Sequence, residues 1–285
     1  MKAQGARVTA LDTDARQCAL ARDAGVVDVV AKNLKGFNGC DVLVLCAPPS
    51  VVCDTLPLLA GLDIGLVTDV CSVKGPVMDA AQGLRNFIGG HPMAGSEQTG
   101  FAASSARLFE NAPYALCVAS GRDLPQERVV VFETLLEKMG AKVVRMTVGE
   151  HDAAVASVSH VPHAAAFALA RAALAQPGAL RLAGRGFADT TRVAGSSPKL
   201  WADIFLRSPH MLSALSQHIA GLAELADALA RRDAVAVEKF LEEGRLGKKI
   251  DQAKITRLTR FENKKNNNQS CQSCNLGLKN SRFMA

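Results

Sequence analysis

The chain has 285 residues, 48% hydrophobic and 21% charged, with a formal net charge of +6; this is a globular composition, long enough for two domains. The positive balance is local: residues 245–285 hold ten Lys/Arg against two Asp/Glu, leaving 23 against 25 elsewhere, so the body presents no basic footprint for nucleic acid. No run of 18 apolar residues and no basic-then-apolar leader occurs, and Cys18, Cys40, Cys46, Cys53, Cys71 and Cys117 lack framework spacing; the expectation is a soluble chain in a reducing compartment, the cytoplasm.

The first predicted strand, RVTAL, ends one residue before Asp12, where an acid can accept the hydroxyls of a nucleotide ribose. A helical stretch, DARQCALARDAG, follows. Further strand-like runs are VVDVV, DVLVLCA, GLVTDV, FIGGHP, PYALCVA and KVVRM, the last preceded by helical PQERVVVFETLLEKMG with its closing glycine. Strands alternating with helices predict a largely parallel sheet covered on both faces. DVLVLCA is nearly all apolar, as a strand buried on both sides must be, and Pro48 and Pro49 stop it.

At residue 148 the pattern changes. TVGE (147–150) has capping-box spacing and predicts a helix start. From there to 244 the sequence reads as helix throughout. Ser208 and Pro209 predict the cap and first turn of a helix whose Met211, Leu215, Ile219, Leu222, Leu225 and Leu229 form one apolar face. The predicted domains are thus 1–147, 148–244 and a basic tail, 245–285, read as disordered. In that tail Cys271 and Cys274 form a lone C-x-x-C, too few ligands for zinc, so no metal is expected.

Four stretches carry chemistry: TDVCSVKG (68–75), GGHPMAGSEQTGF (89–101), SHVPH (159–163) and FADTTRVAGSSPKLW (187–201). Ser72 and Lys74 lie just past the carboxyl end of a predicted parallel strand, the side on which open α/β sheets bind ligands. His91 sits between two glycines and a proline at the end of another strand, and a neutral imidazole can accept a proton near pH 7. Arg192 offers a planar fork to a carboxylate. His160 and His163, three apart, read more simply as a satisfied core pair than as metal ligands.

These stretches together closely resemble the prephenate dehydrogenase family, over about residues 3–244. The resemblance implies an α/β fold: an N-terminally truncated Rossmann-like parallel-sheet domain followed by an all-α dimerisation domain. It implies NAD(P)-dependent oxidative decarboxylation of prephenate to 4-hydroxyphenylpyruvate in tyrosine biosynthesis, by a homodimer. His91 matches the histidine that takes the ring-hydroxyl proton, and Ser72 the serine that orients it beside the nicotinamide. Arg192 matches the carboxylate-binding arginine, with His163, Ser159 and Glu97 as further substrate contacts. Asp12, Ala47, Pro48 and Pro49 match the nucleotide-binding positions, while Asp189 and Trp201 are read as structural. Asp12 favours NAD over NADP, although Arg16 lies close by. Only eleven residues precede Asp12, and no G-x-G-x-x-G occurs, so the expectation is a site short of its phosphate loop, from a misassigned start or a fragment. Two alternatives stand beside the main reading: arogenate as substrate, and a non-catalytic relic that dimerises and binds substrate without cofactor.

Overall fold

The computed structural model describes residues 2, 5–95, 97–118, 124, 126–249 and 282–284; Cys271 and Cys274 lie outside the described residues. All seven predicted strands form: β1 (Arg7–Ala10), β2 (Val29–Val30), β3 (Cys40–Leu45), β4 (Ile64–Asp69), β5 (Phe87–Pro92), β6 (Pro113–Cys117) and β7 (Lys142–Met146). The tail adds β8 (Arg282–Met284), which the sequence pattern does not predict. The sheet order is β2-β1-β8-β3-β4-β5-β6-β7. β8 is parallel to both neighbours, with Val8 opposite Phe283 and Val42 opposite Phe283. β5 and β6 are antiparallel and the other pairings are parallel.

The centre of the sheet is buried on both faces, and the two-residue period of a strand divides its side chains between them. Leu43, Leu45, Val67 and Phe87 face α2 (Pro49–Thr55) and α3 (Gly75–Ala80), packing with Val52, Leu56, Val77 and Met78. Val42, Val44, Leu66, Ile88 and Leu116 face α4 (Gln126–Lys138), packing with Val129, Phe132 and Leu136. Gly140 ends α4 at φ +86, where a Cβ would lie 3.1 Å from the Glu110 backbone. α1 (Ala15–Asp23) starts at an Asp14 cap.

The helical segment begins as expected. Thr147 and Glu150 form a reciprocal capping box, opening α5 (Val148–Val155). A π-turn (Ala156–His160) interrupts the rod before α6 (Val161–Ala175). Then come α7 (Arg185–Thr191), α8 (Pro198–Arg207), α9 (Met211–Ala230) and a helix over 234–249, α10. α9 starts at Met211, beyond the Ser208 cap predicted for it, because the Ser208 hydroxyl bonds His160 instead, at 3.0 Å. α10 carries helix to 249, past the point where the tail was expected to lose structure.

By chain contacts the protein divides into two compact units at Ala214/Leu215, so residues 148–214 belong with the sheet. Among the described residues, the rod 148–175 is long and apolar enough to cross a membrane by length and composition. Its first half, however, holds His151, Asp152 and His160, all buried and hydrogen-bonded within the protein.

Candidate active site

The site is built where β4 and β5 end. Asp69, the last residue of β4, is fully buried, and its carboxylate makes three contacts: Oδ2 accepts from Cys71 N at 2.9 Å, Oδ1 from Gly90 N at 3.0 Å, and the Lys74 ammonium pairs with it directly. Lys74, also without exposure, gives a second bond to the Gly90 carbonyl at 2.6 Å. Gly90 permits this approach. A Cβ there would lie 2.5 Å from the Asp69 carbonyl oxygen and 2.8 Å from Thr68 Oγ1. The motifs around Ser72 and His91 are therefore tied together by one buried ion pair.

His91 follows on β5, with 7% of its surface exposed. Its Nδ1 lies 2.8 Å from Nε2 of His151 on α5, the two rings meeting edge to face. His151 Nδ1 in turn lies 2.8 Å from Asp152 Oδ1. Asp152 also accepts the Lys74 and Gly75 amides, each at 2.8 Å, which fastens α5 to the loop after β4. Ser72 is the residue expected to orient His91; among the described residues nothing bonds its buried hydroxyl.

Beyond this loop lies a ring cluster supplied by the π-turn, the first turn of α6 and α8. Trp201 is buried against Val73 and Ile204, and His163 stacks on it at 3.6 Å between ring centroids. His163 Nδ1 donates to the Ser159 carbonyl at 2.9 Å, so its Nε2 is the acceptor nitrogen. His160 meets Trp201 edge to face and bonds Ser208. Arg192 pairs with Glu97 at 2.8 Å while keeping 57% of its side chain exposed; its charge also acts on His163. Asp189, read as structural, is an exposed residue facing Arg185 at 3.7 Å.

At the neighbouring strand ends, Asp12 is exposed and accepts the Asp14 amide at 2.8 Å through one oxygen. Arg16 is held in a two-pronged contact by Asp14, at 3.0 Å on both sides, and those bonds bring the Asp14 carboxyl down to about 2. The Ala47 carbonyl accepts from the Cys71 thiol at 3.8 Å. Pro48 and Pro49 open α2, whose Ser50 amide is capped by Asp203 of α8 at 2.8 Å. Asp12 and the orphan Ser72 hydroxyl suit the adenosine and nicotinamide ends of a dinucleotide, and Arg16 is engaged by Asp14 rather than held out toward a 2′-phosphate.

Burial, then the Lys74 charge, push the His91 imidazole well below its usual 6.5. Burial takes His160 down to about 4 and also lowers His163. Burial works to raise Asp152, but bonds from His151, Gly75 and Lys74 outweigh it and hold the carboxyl low. Each of these three imidazoles binds its proton more weakly in the folded chain than in the unfolded one. As pH falls below 6.5 the unfolded state therefore takes up more protons, and stability drains away. Thermal melts are expected to fall steadily from pH 6.5 toward pH 4; a melting temperature constant over that range would show that the imidazoles are not buried in neutral form.

Of the residues singled out from sequence, His91, Ser72, Ser159 and His163 gather around the loop 71–75 and Trp201, while Glu97 and Arg192 form a pair of their own. Asp69, His151 and Asp152 are not among them. Their signal was present but faint: an acid closing a buried strand, and a His-Asp pair one turn inside a capped helix of Ala and Val.

Residues 1–145 match the family described as "Prephenate dehydrogenase, nucleotide-binding domain", and residues 147–243 match "Prephenate dehydrogenase, dimerization domain". The chain is 35% identical over 247 residues to prephenate dehydrogenase of Lactococcus lactis subsp. cremoris, covering 82% of this chain and 66% of that protein. It is 35% identical over 216 residues to the Bacillus subtilis enzyme, covering 72% and 58%. It thus spans about two thirds or less of the length of these curated relatives. Among solved structures, Aquifex aeolicus prephenate dehydrogenase in complex with hydroxyphenyl propionate and NAD+ superposes with a TM-score of 0.75 at 27% identity, covering 85% of this chain and 88% of that one.

Proposed function

Because the chain belongs to the prephenate dehydrogenase family, we propose that it carries out NAD-dependent oxidative decarboxylation of prephenate to 4-hydroxyphenylpyruvate, in the tyrosine branch of aromatic amino acid biosynthesis. The observation that carries this reading is the state of His91: a buried imidazole at a strand end, held well below its usual pKa, with Nδ1 engaged by His151 and no partner for Nε2 among the described residues. A bound nicotinamide supplies hydride acceptance. His91 Nε2 takes the proton of the ring hydroxyl as hydride leaves the same carbon, and loss of the ring carboxylate as carbon dioxide then makes the ring aromatic. Arg192 binds a substrate carboxylate, with Glu97 holding its guanidinium at the other side, and His163 and Ser159 line the approach.

Asp12 accepts the ribose hydroxyls, Ala47, Pro48 and Pro49 border the nucleotide, and Ser72 donates its unengaged hydroxyl near the nicotinamide. NAD is preferred to NADP in this reading, since Asp12 would repel a 2′-phosphate and Arg16 is occupied. A homodimer through the helical segment and a cytoplasmic location belong to the same reading. The large apolar side chains left open there support the dimer: Leu206, Leu212 and Leu182 are 87%, 78% and 90% exposed.

The test is turnover with prephenate and with arogenate, each with NAD and NADP. A hydrogen bond to a charged group is worth roughly 1.5–3 kcal/mol, so Arg192→Gln is expected to raise KM about 10- to 100-fold with kcat nearly kept. Binding of prephenate without turnover would instead favour the relic.

A further inference from the structure

We propose that His151 and Asp152 are positioning residues that set the protonation pattern of the His91 ring, so that Nε2 is the bare nitrogen shown to the substrate. The roles along the chain of contacts follow in one direction. Asp152 already accepts two backbone amides, from Lys74 and Gly75, and an ionised carboxylate can only accept. The contact at 2.8 Å therefore requires His151 Nδ1 to carry the hydrogen and donate it. With its one ring hydrogen on Nδ1, His151 has its lone pair on Nε2. To bond that nitrogen at 2.8 Å, His91 must donate from Nδ1. Its Nε2 is left without hydrogen, the one form of the ring that can receive a proton there.

The surroundings make the arrangement hold. His151 and Asp152 are 0% and 2% exposed, so water does not offer these nitrogens other partners. Of the nearby groups on other elements, Lys74 is bonded to Asp69 and the Gly90 carbonyl, and His160 is bonded through Nδ1 to Ser208, its buried Nε2 having no partner among the described residues. The Tyr114 phenol on β6, near Gly90, is held neutral by burial. When His91 takes its proton, the bond to His151 persists and the Asp152 charge lies one ring away. The logic is that of a carboxylate fixing a catalytic histidine, with a second imidazole placed between the two.

Nitrogen-15 NMR of protein labelled at histidine, near pH 7, reads the ring directly. Wild-type His91 should be the Nδ1–H form. His151→Phe keeps a ring but offers no acceptor; it should shift His91 toward Nε2–H and lower kcat about 10²-fold, with KM little changed. His151→Gln, whose carbonyl can accept from His91, should recover most of that loss. The kinetic arm rests on the reaction proposed above, and the spectroscopic arm does not. An Nδ1–H ring in a protein that ignores prephenate would discard the reaction and keep the positioning role. An Nε2–H ring in the wild type, or equal kcat for the Phe and Gln variants, would overturn the positioning role. If His151→Phe fails to fold, the wild-type spectrum and the Gln variant decide.

Discussion

His91→Asn is expected to lower kcat for prephenate oxidation by about 10²–10⁴-fold, the usual contribution of a positioned general base. Asparagine can still donate and accept hydrogen bonds near Nδ1, so His151 and the β5 end should stay in place and KM should move little. The effect is confined to the step in which the hydroxyl proton leaves. Steady-state kinetics at saturating NAD separate the two constants. A variant with near-wild-type kcat would show that another group takes the proton, and the assignment of His91 would fall with it.

Lys74→Met is expected to lower stability by about 3–5 kcal/mol, because removing one partner of a buried ion pair strands the other. The stranded group is Asp69, fully buried, which would keep two backbone amides and lose its only described cation. Methionine fills nearly the same volume, so packing alone predicts a much smaller cost. For a fold of this size each kcal/mol is worth roughly 2–4 °C, and the melting temperature should therefore drop by about 10 °C. A shift of a degree or two would mean that Asp69 takes up a proton or that water reaches it. The Gly90 carbonyl would also lose its ammonium donor, so any remaining folded variant should be slow as well as unstable.

The strands were legible because they are short, β-branched and apolar runs bounded by turn residues: DVLVLCA is apolar from Val42 to Ala47, and GLVTDV is polar only at Thr68 and Asp69, where it meets the site. β8 was not, since RFM in a polar tail carries no period. Ser208 and Pro209 obey the rules for a helix start, yet tertiary demand overrode them, the hydroxyl being taken by His160. The site divides in the same way. Ser72, His91 and Arg192 stand in motifs whose resemblance marks them. His151 and Asp152 acquire their meaning only when α5 is laid across the ends of β4 and β5, a placement no local pattern encodes. His91 is bonded by His151, while no contact of the Ser72 hydroxyl is described.

The π-turn at 156–160 has a consequence for how this protein can vary. Such a turn holds one residue beyond the α-helical count, so the rod after it is rotated by about 100° from where an unbroken helix would point. His151 and Asp152 are phased for the sheet, His163 for the indole of Trp201, and the extra residue is what reconciles the two bearings. Spacing along this rod thus behaves as a vernier: insertions and deletions that a surface loop absorbs would here swing one set of side chains off target while leaving the other aligned.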